Sequence, residues 1–107
     1  MSGKNMVELE ANKNLHGTDV FEGTFASLHI DELLLEFDPK HSGAPVAMLS
    51  GPGGVTKEVH VAPQRGREGR FSTHVGGTES WTGIRVYMVR ETKGRLVRVK
   101  MIGKPPA

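Results

Sequence analysis

The chain has 107 residues, no cysteine, 14 glycines, and 14 lysines and arginines against 12 aspartates and glutamates. That length suits a single domain, residues 1–107, burying roughly two-thirds of its unfolded surface unaided, and the missing cysteines exclude a disulfide framework, a thiolate metal site and a thiol nucleophile. The net charge of +2 hides an asymmetry: residues 1–50 carry three lysines against eight acids, a net of −5, whereas residues 51–107 carry eleven basic residues, all seven arginines among them, against four acids, a net of +7. Either the halves interleave and neutralise each other, or a positive surface is left for an anionic partner or for head-to-tail association of unlike surfaces.

Residues 1–5 read as a loose tail. Residues 6–11 alternate as a first strand, with Val7, Leu9 and Ala11 on one face and Met6, Glu8 and Glu10 on the other. A polar turn is expected over 12–19, where Gly17 and two asparagines can take unusual backbone angles. Residues 20–30 form a strand with Gly23 as a possible bulge, and Asp31-Glu32 interrupts it. Residues 27–37 stay ambiguous: Ser27 can cap a short helix carrying Ile30, Leu33, Leu34 and Phe37, or Leu33, Leu35 and Phe37 face inward on a second strand paired with 20–30. The β-rich surroundings favour the strand.

Residues 39–45 have no periodicity. A hairpin follows, with Gly51-Pro-Gly-Gly54 between the runs 46–50 and 55–61, and Val55, Val59 and Val61 facing in beside Lys57. Residues 62–70 are a basic loop, 71–75 a short strand and 76–80 a turn. The last feature is the clearest: alternating runs 83–91 and 95–102 around Lys93-Gly94 predict a terminal hairpin with Thr92 facing Arg95 and Val86 facing Met101. In that register Ile84, Val86, Met88, Val97, Val99 and Met101 share an apolar face, while Arg85, Tyr87, Val89, Arg98, Lys100 and Ile102 share the other. Residues 104–107, with two prolines, read as a free end. Seven to eight short strands predict an all-β antiparallel sandwich, jelly-roll or immunoglobulin-like, with a small barrel as the alternative.

The candidate binding residues are Arg65, Arg67 and Arg70 in one loop, Arg85, Tyr87, Arg98 and Lys100 on one hairpin face, and Trp81, expected as a core or rim anchor. Arginines beside an aromatic ring on a sheet can hold single-stranded nucleic acid, but one ring is a weak platform and no nucleic-acid signature occurs. A mixed basic and apolar face, with Tyr87, Val89, Leu96 and Ile102 covered by a second subunit, equally suits self-assembly. His29 and Asp31, with His60 or His74, could converge on a metal, but their spacing does not demand it. No Gly-x-Ser-x-Gly elbow occurs, so no catalytic residue, metal site or cofactor is assigned and catalysis is not expected.

The sequence therefore predicts a non-catalytic binding or assembly module acting through protein–protein contacts, by self-association or with an acidic partner. Nucleic-acid binding is the first alternative, and a carbohydrate-binding module or small enzyme the second. No apolar run reaches the length of a membrane helix and residues 1–6 have no apolar leader core, so a cytoplasmic protein with no membrane partner is expected.

Overall fold

The computed structural model describes residues 4–38, 44–89 and 92–106. In chain order the strands are β1 (Asn5–His16), β2 (Val20–Phe37), β3 (Pro45–Ser50), β4 (Thr56–His60), β5 (Ala62–Pro63), β6 (Arg70–His74), β7 (Trp81–Met88) and β8 (Lys93–Lys104). They form one antiparallel eight-stranded sheet that is not closed into a barrel. It doubles over into a sandwich-like all-β fold. Asn5 and Lys104, assigned to loose ends by the sequence, both lie in strands, and Asn5 pairs with Gly103.

The doubling is the work of β2. Its inward residues are Phe21 and Phe25, then Leu28 and Ile30, then Leu33, Leu35 and Phe37. Strict alternation would keep them two apart, yet Phe25 to Leu28 and Ile30 to Leu33 are three apart. Both breaks coincide with a shift of register, an irregularity between Thr24 and Leu28 where four steps of β2 span two of β7, and one extra residue, Asp31, between Ile30 and Glu32 against β8. A bulge of this kind bends the strand and increases its twist. Residues 20–28 accordingly pair with β7, whereas residues 29–37 lie between β8 and β6. The polar pair Asp31-Glu32 is a bulge inside one 18-residue strand, not the boundary of a helix or of a second strand folded back on 20–30. The Asp31 carbonyl accepts the Val75 N–H at 2.8 Å.

Two layers result. The first runs β1-β8-β2-β6-β5 and the second β2-β7-β3-β4, with β2 common to both. Leu33, Leu35, Phe37, Val99 and Met101 of the first layer meet Leu49, Ile84 and Val86 of the second in one buried cluster. Phe37 and Phe71 pack edge to face with centroids 5.6 Å apart, a favoured aromatic geometry. The halves of the chain are interleaved: acidic β1 and the acidic end of β2 flank basic β8.

Alternation predicts well which side of a strand is buried and poorly which strand lies beside it. The terminal hairpin shows this. Ile84, Val86 and Met88 are buried, as are Val99 and Met101. The two arms, however, are not neighbours. Val86 faces Phe21 and Ala47, in β2 and β3, while Met101 faces Val7 and Leu33, in β1 and β2. The connection crosses from one layer to the other, so the arms bury their apolar faces from opposite sides of the core. Lys93 and Gly94, expected as the turn, pair with His16 and Leu15; Arg90 and Glu91 lie outside the described residues.

Two smaller corrections share a cause. β1 does not stop at Ala11 but continues through a bulge at Asn12, whose φ of 47° is the left-handed conformation asparagine tolerates, to fully buried Leu15. In β8, Val97 is the extra residue against β2, because Glu36 faces Arg98 and Phe37 faces Leu96. Leu96, placed on the outer face by unbroken alternation, is thereby turned inward to 0% exposure, and Val97 is only half-buried. The 51–54 turn joins β3 and β4 as expected, but Val55 is exposed rather than inward.

Candidate protein-binding face

The outer face of the first layer is a grid whose rows follow from the strand registers. One row reads Glu10, Arg98, Glu36, Arg70 across β1, β8, β2 and β6. The next reads Glu8, Lys100, Leu34, Ser72, and the third Met6, Ile102, Glu32, His74. In-row neighbours have Cβ atoms about 5 Å apart, so opposite charges in a row meet. Glu36 is the most sheltered, with its side chain 18% exposed: Oε1 lies 2.7 Å from an Arg70 Nη and Oε2 3.0 Å from Arg98 Nε. The latter pair is an ionic contact not aligned as a hydrogen bond. Arg98 Nε also lies 3.9 Å from Glu10, and Lys100 Nζ 3.7 Å from Glu8. Exposed pairs contribute only about 0–1 kcal/mol each, so the grid matters more as a surface pattern than as a source of stability.

The loop between β5 and β6 overhangs one side of this face. Gln64, Arg67, Arg70 and Lys100 surround a dimple of about 70 Å³ beside Glu36, over Leu34, Leu35 and Phe71. The loop is held by backbone hydrogen bonds from Gln64 N–H to Arg70 carbonyl (2.8 Å) and from Arg67 N–H to Gln64 carbonyl (3.2 Å). Arg65 and Arg67 are exposed and make no ion pair among the described residues. The face is therefore polarised, with carboxylates along β1 and unpaired guanidinium groups at the β5–β6 side. Apolar Met6, which is 59% exposed, and half-buried Leu34 and Ile102 are set within it.

The other predicted residues do not join this set. Arg85 and Tyr87 lie on the outer face of the second layer, so the expected cluster of Arg85, Tyr87, Arg98 and Lys100 is divided between opposite faces. Arg85 Nε is 3.2 Å from Glu22; the pair rims a hollow of about 320 Å³ with Thr24, Ser50 and Gly83. Trp81 is 1% exposed and offers no ring to a ligand; its indole N–H has no hydrogen-bond partner among the described residues. Leu96, expected at a subunit interface, belongs to the core.

The Tyr87 hydroxyl donates to Glu58 Oε2 at 2.8 Å. Burial first, then that hydrogen bond and the Glu58 charge, hold its phenol above the ordinary value of 10.0. A raised pKa means that the fold favours the neutral phenol, so this stabilisation is present below pH 10.0 and lost as pH rises through the folded-state value. As Tyr87 is the only tyrosine, an ultraviolet titration reads it directly. Its midpoint is expected above 10.0 in the native protein and lower in Glu58→Gln; an unchanged midpoint in that variant would refute the contact.

The described histidines are dispersed. His29 shares a hollow of about 500 Å³ with Asp31, Thr78 and Lys104, its Nδ1 2.9 Å from the Glu79 carbonyl oxygen. His74 is on the outer face of the first layer opposite Glu32, and His60 lies beside Glu58 at 3.3 Å in the second. No group of three histidine, aspartate or glutamate side chains converges among the described residues. Nor, among them, is any helix long and apolar enough to cross a membrane.

Sequence reasoning missed the acids of the face. Glu8, Glu10, Glu32 and Glu36 come from strands whose neighbourhood to β8 is set by non-local pairing. The available signals were the −5 and +7 split and the phase of Glu8 and Glu10 opposite to Val7 and Leu9. No family model, curated protein or solved structure matches the chain.

Proposed function

We propose that the protein is a non-catalytic binding module that docks an acidic protein surface on the outer face of its first layer, at the side formed by Arg65, Arg67, Arg70 and Lys100. The observation that supports this is the division of the cations. Arg70, Arg98 and Lys100 already face carboxylates across the first layer, whereas Arg67 overhangs the same face and Arg65 stands exposed in the same loop, neither with an ion pair among the described residues. Carboxylates and apolar side chains a few ångströms away favour a partner with discrete, matching groups over the uniformly negative backbone of a nucleic acid. The reading keeps the sequence expectation of a cytoplasmic setting.

A short glutamate-rich peptide tests it. Binding is expected to weaken with added salt and to fall at least several-fold in Arg67→Glu, a substitution that breaks no ion pair among the described residues. An Arg67→Glu variant that binds as tightly as the native chain would remove the proposal. A single-stranded oligonucleotide that binds far more tightly than the peptide, with affinity falling linearly in log–log salt plots, would replace it with nucleic-acid binding.

A further inference from the structure

The charge order on the outer face of the first layer makes ion pairs within the chain and also has a symmetry of its own. Across β1, β8, β2 and β6 the row Glu10, Arg98, Glu36, Arg70 reads negative, positive, negative, positive. Such a row is antisymmetric about its midpoint between β8 and β2. Lay a second copy face to face on the first, related by a half turn about an axis that runs parallel to the strands through that midpoint. Every position in the row then meets its mirror position: Glu10 meets Arg70 of the second copy, and Arg98 meets its Glu36. All four contacts join opposite charges.

The neighbouring rows do not share this antisymmetry, but they oppose no like charges. Under that operation Glu8 meets Ser72 and Lys100 meets Leu34, while Met6 meets His74 and Ile102 meets Glu32. Arg67, overhanging the β6 side, comes toward the acids of β1. An isologous two-fold contact needs this self-complementarity, and a row with the same charges in the order negative, positive, positive, negative would set like charges against each other. Aligned packing of two sheets also tolerates the strand angle that their twist imposes.

We infer that the acidic surface docked by this face is the β1 side of a second copy of the chain, giving a two-fold dimer through the first layers. This rests on the docking face proposed above and names its partner. The four strands of the rows, about 4.8 Å apart, and some nine residues along at about 3.3 Å each give roughly 570 Å² of sheet face per copy, or about 1,100 Å² in total. That total is at the low end for a specific interface, so the dimer is weak, and the ionic contacts make it salt-sensitive.

Sedimentation of the full chain over a concentration series, at low and high salt, tests this with two charge-reversal variants. Glu8→Lys with Glu10→Lys makes both sides of the face basic; Arg67→Glu with Arg70→Glu makes both acidic. The native chain is expected to reach twice the single-chain mass at low salt and to dissociate at high salt. Each variant alone is expected to be monomeric, and an equimolar mixture to form a heterodimer. If the Arg70 change prevents folding, judged by thermal melting, Arg67→Glu alone takes its place with a smaller shift in the same direction. A native chain that stays monomeric at low salt overturns the inference, and so does a dimer that persists unchanged in both variants. The glutamate-peptide titration separates the two claims: a monomer that still binds the peptide through Arg67 refutes self-docking and leaves the acidic-partner reading standing, whereas loss of both refutes both.

Discussion

Gly103→Ala is expected to destabilise the fold by about 3 kcal/mol or more, an overpacking effect at the upper end of its usual range. Gly103 lies where β8 passes the bulge of β2, paired with Ile30. A Cβ built there would collide with the His29 carbonyl oxygen and sit 2.8 Å from its carbon and 3.0 Å from Ile30 Cα. All three obstacles are backbone, so no side-chain rotamer can relieve the clash and the strands themselves must separate. They separate at the point where the sheet turns from one layer into the other. The melting temperature should fall by roughly 12 °C or more. Gly53→Ala serves as a control: it has open space but a φ of +77°, and should cost only about 1 kcal/mol. A Gly103→Ala protein as stable as that control would mean that β2 and β8 are not this close.

Leu96→Ala is expected to cost about 2–5 kcal/mol in chemical denaturation, the range for a large aliphatic removed from a packed core. The expectation follows from the Val97 bulge alone. Unbroken alternation along β8 sets Leu96 beside Arg98 and Lys100 on the surface, where truncation costs within about 0.5 kcal/mol. The bulge sets it beside Phe37 and Leu15 in the core. Val97→Thr provides the converse, since Val97 is half-buried and should tolerate the hydroxyl better than a core position would. A small loss for Leu96→Ala together with a large one for Val97→Thr would reverse the phase of the strand.

These two positions also mark where the sequence is legible and where it is not. Alternation is a local property, and it correctly separates Val7 and Leu9 from Glu8 and Glu10, and Ile84 and Val86 from Arg85 and Tyr87. The Gly51-Pro-Gly-Gly54 turn is legible for the same reason, because its chemistry lies within four residues. Bulges at Asn12, Asp31 and Val97 reset the alternation by one residue each, and nothing local distinguishes such a reset from the end of a strand. Neighbour relations are less legible still. The arms at 84–88 and 95–102 have the periodicity of a hairpin, and either a shared edge or opposite layers would satisfy it. The candidate face inherits both limits. Arg67, Arg70, Arg98 and Lys100 are visible as a basic set, but Arg85 and Tyr87 join them only through the expected hairpin, and the carboxylates that turn the set into an alternating grid arrive from β1 and β2.

The grid also explains why the +7 half does not present a uniformly positive surface. On β8, Arg98 is answered by acids on both sides and Lys100 by Glu8, all from the −5 half, whereas Arg65 and Arg67 of the β5–β6 loop have no ion pair among the described residues. Contact between copies, or with another protein, is then governed by the order of charges along a row rather than by their sum.

The most direct measurement is the change in backbone amide shifts as the isotopically labelled protein is taken from dilute to concentrated solution at low salt. The moving resonances are expected to be those of the first layer, centred on Glu8, Glu10, Arg67, Arg70, Arg98 and Lys100. Shifts centred instead on Glu22, Glu58, Arg85 and Tyr87 would place the contact on the opposite face and contradict that expectation.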